Sequence, residues 1–404
     1  MLLRVFLEAE TPLSFRDGDD LAPLGANHFI PGTNLFGALA EYHRLRRNDP
    51  VEFQRFFLQG KVRLGNGYPA AFKARDLNAD YLPVQPIPLT ARTCKRFKGF
   101  AFHADEDHER RAGVTDALIP LALFTLSNEE QICCLADLHN HPKTGQPLDR
   151  MEGFFRRGIR ADVIGQGNVA LGLRTRTGIN YRTGTAAAAI LYSRQTFAEG
   201  ARFWGCWSVD DDIYAPFEAF IGEIIERDAL RIGNNRTRGF GRVRLNLQEL
   251  AADTAADLGD RVLAFTDMLH TAATQWAIPI PAGRYIPVTL QSDMLLSDPL
   301  LRSRLQVHGD DLAAVGVPGA QLRFHTAGAR RIRGWNQLLG MPRADMWAIT
   351  MGAVFLFHLP PTDQPPWAAL LQLQQEGLGL RRGEGFGTLA IASRFHLESY
   401  GVYR

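Results

Sequence analysis

At 404 residues the chain is long enough for two or three ordinary domains, and 46% hydrophobic with 22% charged residues are globular proportions. A net charge of +2 excludes a strongly basic or acidic protein, and no apolar run approaches the length of a membrane span. The four cysteines make no disulfide framework, and the first eight residues are too short and too soon charged for a signal peptide, so a cytoplasmic home is expected.

Residues 2–9 alternate and predict a strand. Pro31-Gly32-Thr33 opens a helix with Thr33 as expected N-cap, an apolar side of Leu35, Phe36, Leu39, Tyr42 and Leu45, and a basic end. From about 53 to 165 the pattern is irregular and reads as a large insertion. Within it Cys133, Cys134, His139 and His141 form the one metal-like cluster, but their spacing is not that of a C-x-x-C knuckle, and packing is preferred to metal.

Regular pattern resumes at 169–176 as a strand running into Thr177-Gly178-Ile179-Asn180-Tyr181-Arg182-Thr183-Gly184-Thr185. Strands at 188–196 and 201–209 follow, then a helix over 215–227. Between Arg150 and Arg182, seven arginines face only Glu152 and Asp162. Arginine predominates over lysine, as suits bidentate phosphate contacts and stacking.

Next comes Arg231-Ile232-Gly233-Asn234-Asn235-Arg236-Thr237-Arg238-Gly239-Phe240-Gly241-Arg242-Val243-Arg244-Leu245. Five arginines sit among three glycines with no acid in the stretch, which suits an anion, and a polyanion best. A strand over 240–247 closes this part. Residues 251–283 read as a connector, mainly helical over 262–276.

A second round starts at 284: strand 285–292, helix 298–306, strand 320–327 reaching toward 332, strand 347–358, helix 367–376 and strand 386–396. Gly377-Leu378-Gly379-Leu380-Arg381-Arg382-Gly383-Glu384-Gly385-Phe386-Gly387 lies before that last strand and repeats the Gly-Phe-Gly of the first loop. Both rounds give the order β-α-β-β-α-β. The fold class expected is α+β: two ferredoxin-like (RRM-like) domains, 1–250 with the insertion at about 53–165 and 284–404, each with a glycine-rich loop before its last strand.

Three stretches carry a family resemblance. Ile30-Pro31-Gly32-Thr33-Asn34-Leu35-Phe36-Gly37-Ala38-Leu39-Ala40 resembles the first helix of the RAMP superfamily of CRISPR-associated proteins. Arg174-Thr175-Arg176-Thr177-Gly178-Ile179-Asn180 through Ala186 resembles the loop where those proteins meet guide RNA. Gly60 to Pro69 with Pro88 to Lys95 is similar to the large RAMP subunit of type III-D systems, the "Csx-ten" family. In one respect the chain departs: family members often carry a paired-cysteine knuckle before a Gly-x-Pro-Leu segment. Here Cys133 and Cys134 are adjacent, and only Gly145-Gln146-Pro147-Leu148 survives in form.

The resemblance implies a subunit of a multiprotein effector complex that holds CRISPR RNA (crRNA), expected at its repeat-derived five-prime handle. Its partners would be the large subunit, the backbone RAMP subunits and, indirectly, target RNA, with no cofactor and no membrane. The RNA-binding residues expected are Arg174, Arg176, Asn180, Tyr181, Arg182, Arg231, Asn234, Arg236, Arg238, Gly239, Arg381 and Arg382. Phe240 is expected to pack beneath its loop rather than stack. The rival reading is a metal-independent endoribonuclease of CRISPR repeats with His28 or His43 as general base. A divalent-ion nuclease would need loop aspartates, and Asp105, Asp107 and Asp116 make no compelling set; no Walker A sequence is present.

Overall fold

The computed structural model describes residues 1–15, 28–70, 83–96, 98–100, 113–127, 147–157, 164–167, 169–179, 182–183, 185–336 and 340–398. In chain order the first part holds β1 (Leu2–Ala9), α1 (Gly32–Arg46), β2 (Val62–Leu64), α2 (Leu118–Leu126), β3 (Leu171–Ile179), β4 (Ala186–Phe197), β5 (Arg202–Val209), α3 (Tyr214–Glu226) and β6 (Val243–Glu249). Then come α4 (Ala255–Gln275), β7 (Arg284–Leu290), α5 (Gly309–Ala313), β8 (Gln321–Thr326), β9 (Ala329–Ile332), β10 (Met346–Ile349), β11 (Val354–Leu359), α6 (Trp367–Glu376) and β12 (Leu389–Ile391). Among the described residues no helix is long and apolar enough to cross a membrane.

Two antiparallel sheets, each with four main strands, carry the fold. The first runs β6-β1-β5-β2 and the second β8-β11-β7-β12, and in each the helices fall between strands one and two and between three and four. That order is the ferredoxin-like one, made twice. Period-two alternation assigns the faces. Leu3, Val5 and Leu7 of β1 meet Phe203 and Trp207 of β5, Leu35 and Leu39 of α1, and Phe217, Phe220 and Ile221 of α3 in one core. In the second sheet Ile286, Val288, Phe355 and Phe357 face Leu312, Leu370 and Leu373.

Several boundaries differ from those the sequence predicts. The second strand of the first sheet is Val62–Leu64, with Tyr68–Pro69 also pairing β5, inside the stretch that reads as irregular. The predicted strand at 188–196 belongs instead to a two-stranded ribbon, β3 with β4. Thr33 is not the N-cap: Pro31 is, and the buried first-turn donor Gly32 N–H is met by Asn66 Oδ1 at 2.7 Å. No helix forms at 298–306, where Leu296–Ser297 pairs with Ser303–Arg304 around a turn containing Pro299, which has no amide hydrogen to give. Gly352 at φ +80° divides the predicted 347–358 strand into β10 and β11. The last strand is only three residues and runs into a short turn of helix, Arg394–His396.

The inserted residues pack on the second sheet although they interrupt the chain of the first. Leu118, Ala122 and Leu123 of α2 join Phe265 and Leu269 of α4, and these cover Tyr285, Val354 and Leu356. That is the sheet face opposite α5 and α6, so both faces of the second sheet are occupied. Asp116 adds a buried polar staple. Its Oδ2 lies 2.7 Å from His396 Nδ1, and His396 Nε2 lies 2.7 Å from Thr289 Oγ1 on β7. Arg157 pairs with Glu398 at 2.6 Å, and Phe155 packs on Phe395. His396→Ala leaves two buried polar groups without their partner and a void. We expect a loss of about 3 kcal/mol, measured by urea unfolding.

Candidate nucleic-acid interface

The two glycine-rich loops have one backbone conformation. In the first, Asn235 (φ +60°) precedes a helical turn over Arg236–Arg238, and Gly239 (φ +80°) ends it. In the second, Arg381 (φ +57°) precedes the turn Arg382–Glu384 and Gly385 (φ +91°) ends it. The hydrogen bonds match as well. Asn234 N–H donates to Ser14 O and Leu380 N–H to Leu295 O; Ile232 N–H donates to Gly241 O and Leu378 N–H to Gly387 O. A Cβ at Gly241 would lie 2.4 Å from Ile232 O, and one at Gly387 1.8 Å from Leu378 O, so these glycines are required by close backbone approach.

Electrostatically the loops differ, because Glu384 stands where the first loop has Arg238. Arg381 reaches Glu384 through Nη2 at 2.6 Å, and Arg343 through Nη1 at 2.8 Å. Burial pushes the Glu384 carboxyl up, but the hydrogen bond from Arg381 and the charges of Arg381 and Arg343 outweigh it, and the group sits below its ordinary value of 4.5. Arg382 reaches Glu376 at 3.4 Å. The second loop is therefore self-neutralised. It also docks on the first sheet: a Cβ at Gly385 would meet Leu64 O at 2.7 Å, and one at Gly383 would meet Val62 O at 3.2 Å. Tyr68 Oη donates to Gln291 O beside this contact.

A carboxylate with a depressed folded pKa stabilises above its unfolded value and ceases to do so as pH falls through the folded one. The Glu384 contribution is thus present at neutral pH and lost as pH falls through a folded value below the ordinary 4.5. Glu384→Gln strands two half-buried guanidiniums and should cost about 3 kcal/mol at pH 7 by urea unfolding. Against the parent, its deficit should shrink at acid pH.

The first loop is only partly neutralised, by acids from outside its own sequence. Arg236 pairs with Glu41 of α1, Arg242 with Asp228 and with Glu10 at 2.7 Å, and Arg244 with Glu10 at 2.6 Å. The hydrogen bond from Arg242 holds Asp228 below the usual carboxylate range. Arg231 donates to the carbonyls of Asp228 and Leu230, which fixes the loop entrance. Arg238 and Gly239 form the exposed tip, with open space around a Cβ at Gly239.

The β3–β4 ribbon reaches over this loop. Residues 171–197 include no aspartate or glutamate and four arginines, Arg174, Arg176, Arg182 and Arg194. Strand register places Arg174 directly opposite Arg194, on the face that also carries Arg176. The Arg176 guanidinium lies 4.6 Å from the centroid of the Phe240 ring and that of Arg174 5.9 Å. Phe240 is 6% exposed and packs beneath, so it is the floor that joins ribbon to loop. On the other face Thr175 and Ser193 hydroxyls bond at 2.7 Å, beside exposed Leu173. Like charges directly opposite across a strand pair repel. Among the described residues, neither Arg174 nor Arg176 is in an ion pair. Arg174 and Arg176 thus present positive charge on this face.

The remaining expected residues separate. Asn180 and Tyr181 lie outside the described residues, as do Cys133, Cys134, His139 and His141; Arg182 is exposed near the ribbon end. His28 is exposed just before α1. His43 is not placed for base catalysis on a bound strand. It is fully buried among Phe53, Phe56, Phe57 and Phe220, with Nε2 2.7 Å from Glu52. Arg381 and Arg382 belong to the docked loop rather than to the ribbon site. Sequence reading passed over Arg194, whose place opposite Arg174 needs the ribbon register to be known.

No family model and no curated protein matches the chain. It is similar to a chain of the type III-B Cmr-beta complex bound to cognate target RNA, at 13% identity over 87% of this chain and 86% of that one, with a TM-score of 0.41. The same complex with target RNA and AMPPnP gives 12% identity over 87% and 86%, with a TM-score of 0.40. Oligomeric Cmr4 from Pyrococcus furiosus gives 13% identity over 62% of this chain and 99% of that one, with a TM-score of 0.28. Likeness at this level fixes neither family nor role.

Proposed function

We propose that this chain is a non-catalytic RNA-binding subunit of a type III CRISPR effector complex, a RAMP protein of the type III-D kind that holds crRNA by its repeat-derived five-prime handle. The observation that carries the reading is the acid-free ribbon with Arg174 set against Arg194 and Arg176 above Phe240. Arginine held in pairs over an aromatic floor fits a sugar-phosphate chain, and an open glycine tip lets that chain approach. The first loop and the ribbon form the site; the second loop serves the junction between sheets. The large subunit, the backbone RAMP subunits and target RNA would be neighbours in the cytoplasmic complex, and the role calls for no cofactor.

The test is to purify the protein from cells that carry its CRISPR locus and sequence the RNA that comes with it. A labelled repeat transcript is then incubated with the protein without added metal. Guide-length RNA sharing one repeat-derived end, with the transcript intact, is the expected result. Specific cleavage lost on His28→Ala would replace the proposal with a processing endoribonuclease. Neither RNA nor cleavage would overturn both.

A further inference from the structure

The face of the first sheet opposite α1 and α3 holds a cation that the ribbon site does not use. Alternation puts Leu3, Val5 and Leu7 into the helix-covered core and Arg4, Phe6 and Glu8 on the other face. Residues directly opposite in register share a face, so Arg4 lies between Cys206 on β5 and Gln248 on β6. Arg4 is 6% exposed, and its Nε is buried with no hydrogen-bond partner. Its guanidinium lies 5.8 Å from the centroid of the Trp204 ring. An indole face attracts the cation but leaves its in-plane N–H donors unmet.

The neighbouring arginines show what is missing. On the same face Arg63 pairs with Asp210 at 2.9 Å, Arg202 with Glu8 at 3.6 Å and Arg244 with Glu10 at 2.6 Å. All three are more exposed than Arg4, yet among the described residues no carboxylate pairs with Arg4. Burial holds the Arg4 guanidinium below its ordinary value. The group that works against this is the Cys206 thiol, itself pushed up to about 11 by burial and so uncharged at neutral pH. The inserted strand Phe154–Arg157 brings a second cation rather than an acid: Arg156, 4% exposed, lies 5.2 Å from the same Trp204 ring. A charge this deeply buried calls for a compensating partner.

Entry is from the edge of the sheet. β6 is the edge strand, and Arg244, Asn246 and Gln248 on this face of it are exposed. Gln248 stands directly across from Arg4, with about 5 Å between Cα atoms. An anion arriving over β6 therefore meets a neutral amide donor and then the guanidinium. A carboxylate gripped two-pronged by a guanidinium has both oxygens engaged, whereas a phosphate keeps two more for the amide. We propose that Arg4 and Gln248 form a phosphate-binding site on this face, entered across β6. The phosphate belongs either to bound RNA or to a free phosphate-bearing molecule. The site lies roughly 17 Å along β6 from the first glycine-rich loop, within reach of a strand that also contacts the loop. The inference rests on Arg4 and stands whether or not the ribbon binds RNA.

The test titrates the full chain with inorganic phosphate by calorimetry, with chloride holding ionic strength constant. Saturable binding is expected in the parent and in the double variant Arg174→Ala, Arg176→Ala. Arg4→Met should weaken it by on the order of tenfold or more, while Arg202→Met leaves it at the parental value. Arg4→Lys keeps the charge and the stem over Trp204 but loses the fork, so it should bind phosphate with intermediate affinity; it decides the matter if Arg4→Met does not fold. Repeat RNA then assigns the source. RNA that competes with phosphate, with a salt slope lower by about 0.7 in the Arg4 variants, makes the anion an RNA phosphate. Phosphate bound equally well under saturating RNA makes it a free one. No saturable phosphate binding in the parent, acetate binding as tightly, or phosphate affinity unchanged by substitution of Arg4 would overturn the proposal.

Discussion

Gly32→Ala is expected to destabilise the protein by about 3 kcal/mol, although alanine is the better helix former by about 1 kcal/mol. The methyl group would lie 2.4 Å from Leu64 O, 2.8 Å from Glu384 O and 2.9 Å from Gly385 Cα. All three are backbone atoms, which cannot swing aside as a side chain would. They belong to β2 and to the second glycine-rich loop, so the substitution wedges the start of α1 away from both. Gly37→Ala is the control. It lies in the same helix with nothing within 4 Å of its Cβ and should gain up to about 1 kcal/mol. Urea unfolding of the two variants reads the difference directly. Equal effects would mean that the three backbones do not meet as described.

Removing the ribbon arginines should cut affinity far more than stability. Replacing Arg174, Arg176 and Arg194 together by alanine is expected to weaken binding of single-stranded repeat RNA by about a hundredfold near physiological salt. Each phosphate contact to a single strand contributes about 0.7 to the slope of log affinity against log salt, so three lost contacts lower it by about 2. The unfolding midpoint should fall only by what the lost contacts of Arg174 and Arg176 with the Phe240 ring contribute, about 1 kcal/mol. A structural role for these residues would show the reverse: lower stability with an unchanged salt slope. The measurement is a set of binding isotherms across salt, paired with thermal unfolding of the same samples.

Period and punctuation made the two sheets legible. Alternation marked β1, β5 and β7, the three-to-four spacing marked α1 and α3, and the repeated Gly-Phe-Gly tied the halves together. β2 escaped because three residues and then two, divided by Gly65-Asn66-Gly67, give no period to see; their pairing with β5 supplies what local pattern does not. The false helix at 298–306 arose from apolar residues that the structure holds in solvent, so the pattern was real and its cause was not burial. Charge count singled out the first loop and the ribbon, but it could not show the partners distant in sequence, Glu41, Glu10 and Asp228, that pair with arginines of that loop. The likeness of the loops hid a difference: one backbone was made twice, but Glu384 pairs with arginine in the second copy, which docks against Val62 and Leu64.

Packing of the interrupting segment on the second sheet fixes an order of events during synthesis. Leu118, Ala122 and Leu123 leave the ribosome long before Phe265, Tyr285 and Leu356, the residues they will cover. Until those are made, α2 has an apolar side with no surface to lie on, and Asp116 waits for His396 near the far end of the chain. A chain released at about residue 250 can pair β1, β5 and β6 but leaves that segment a target for chaperones or for another unfinished copy. Cutting the gene between its two sheets would do the same to the finished product, because it separates α2 from the sheet it covers.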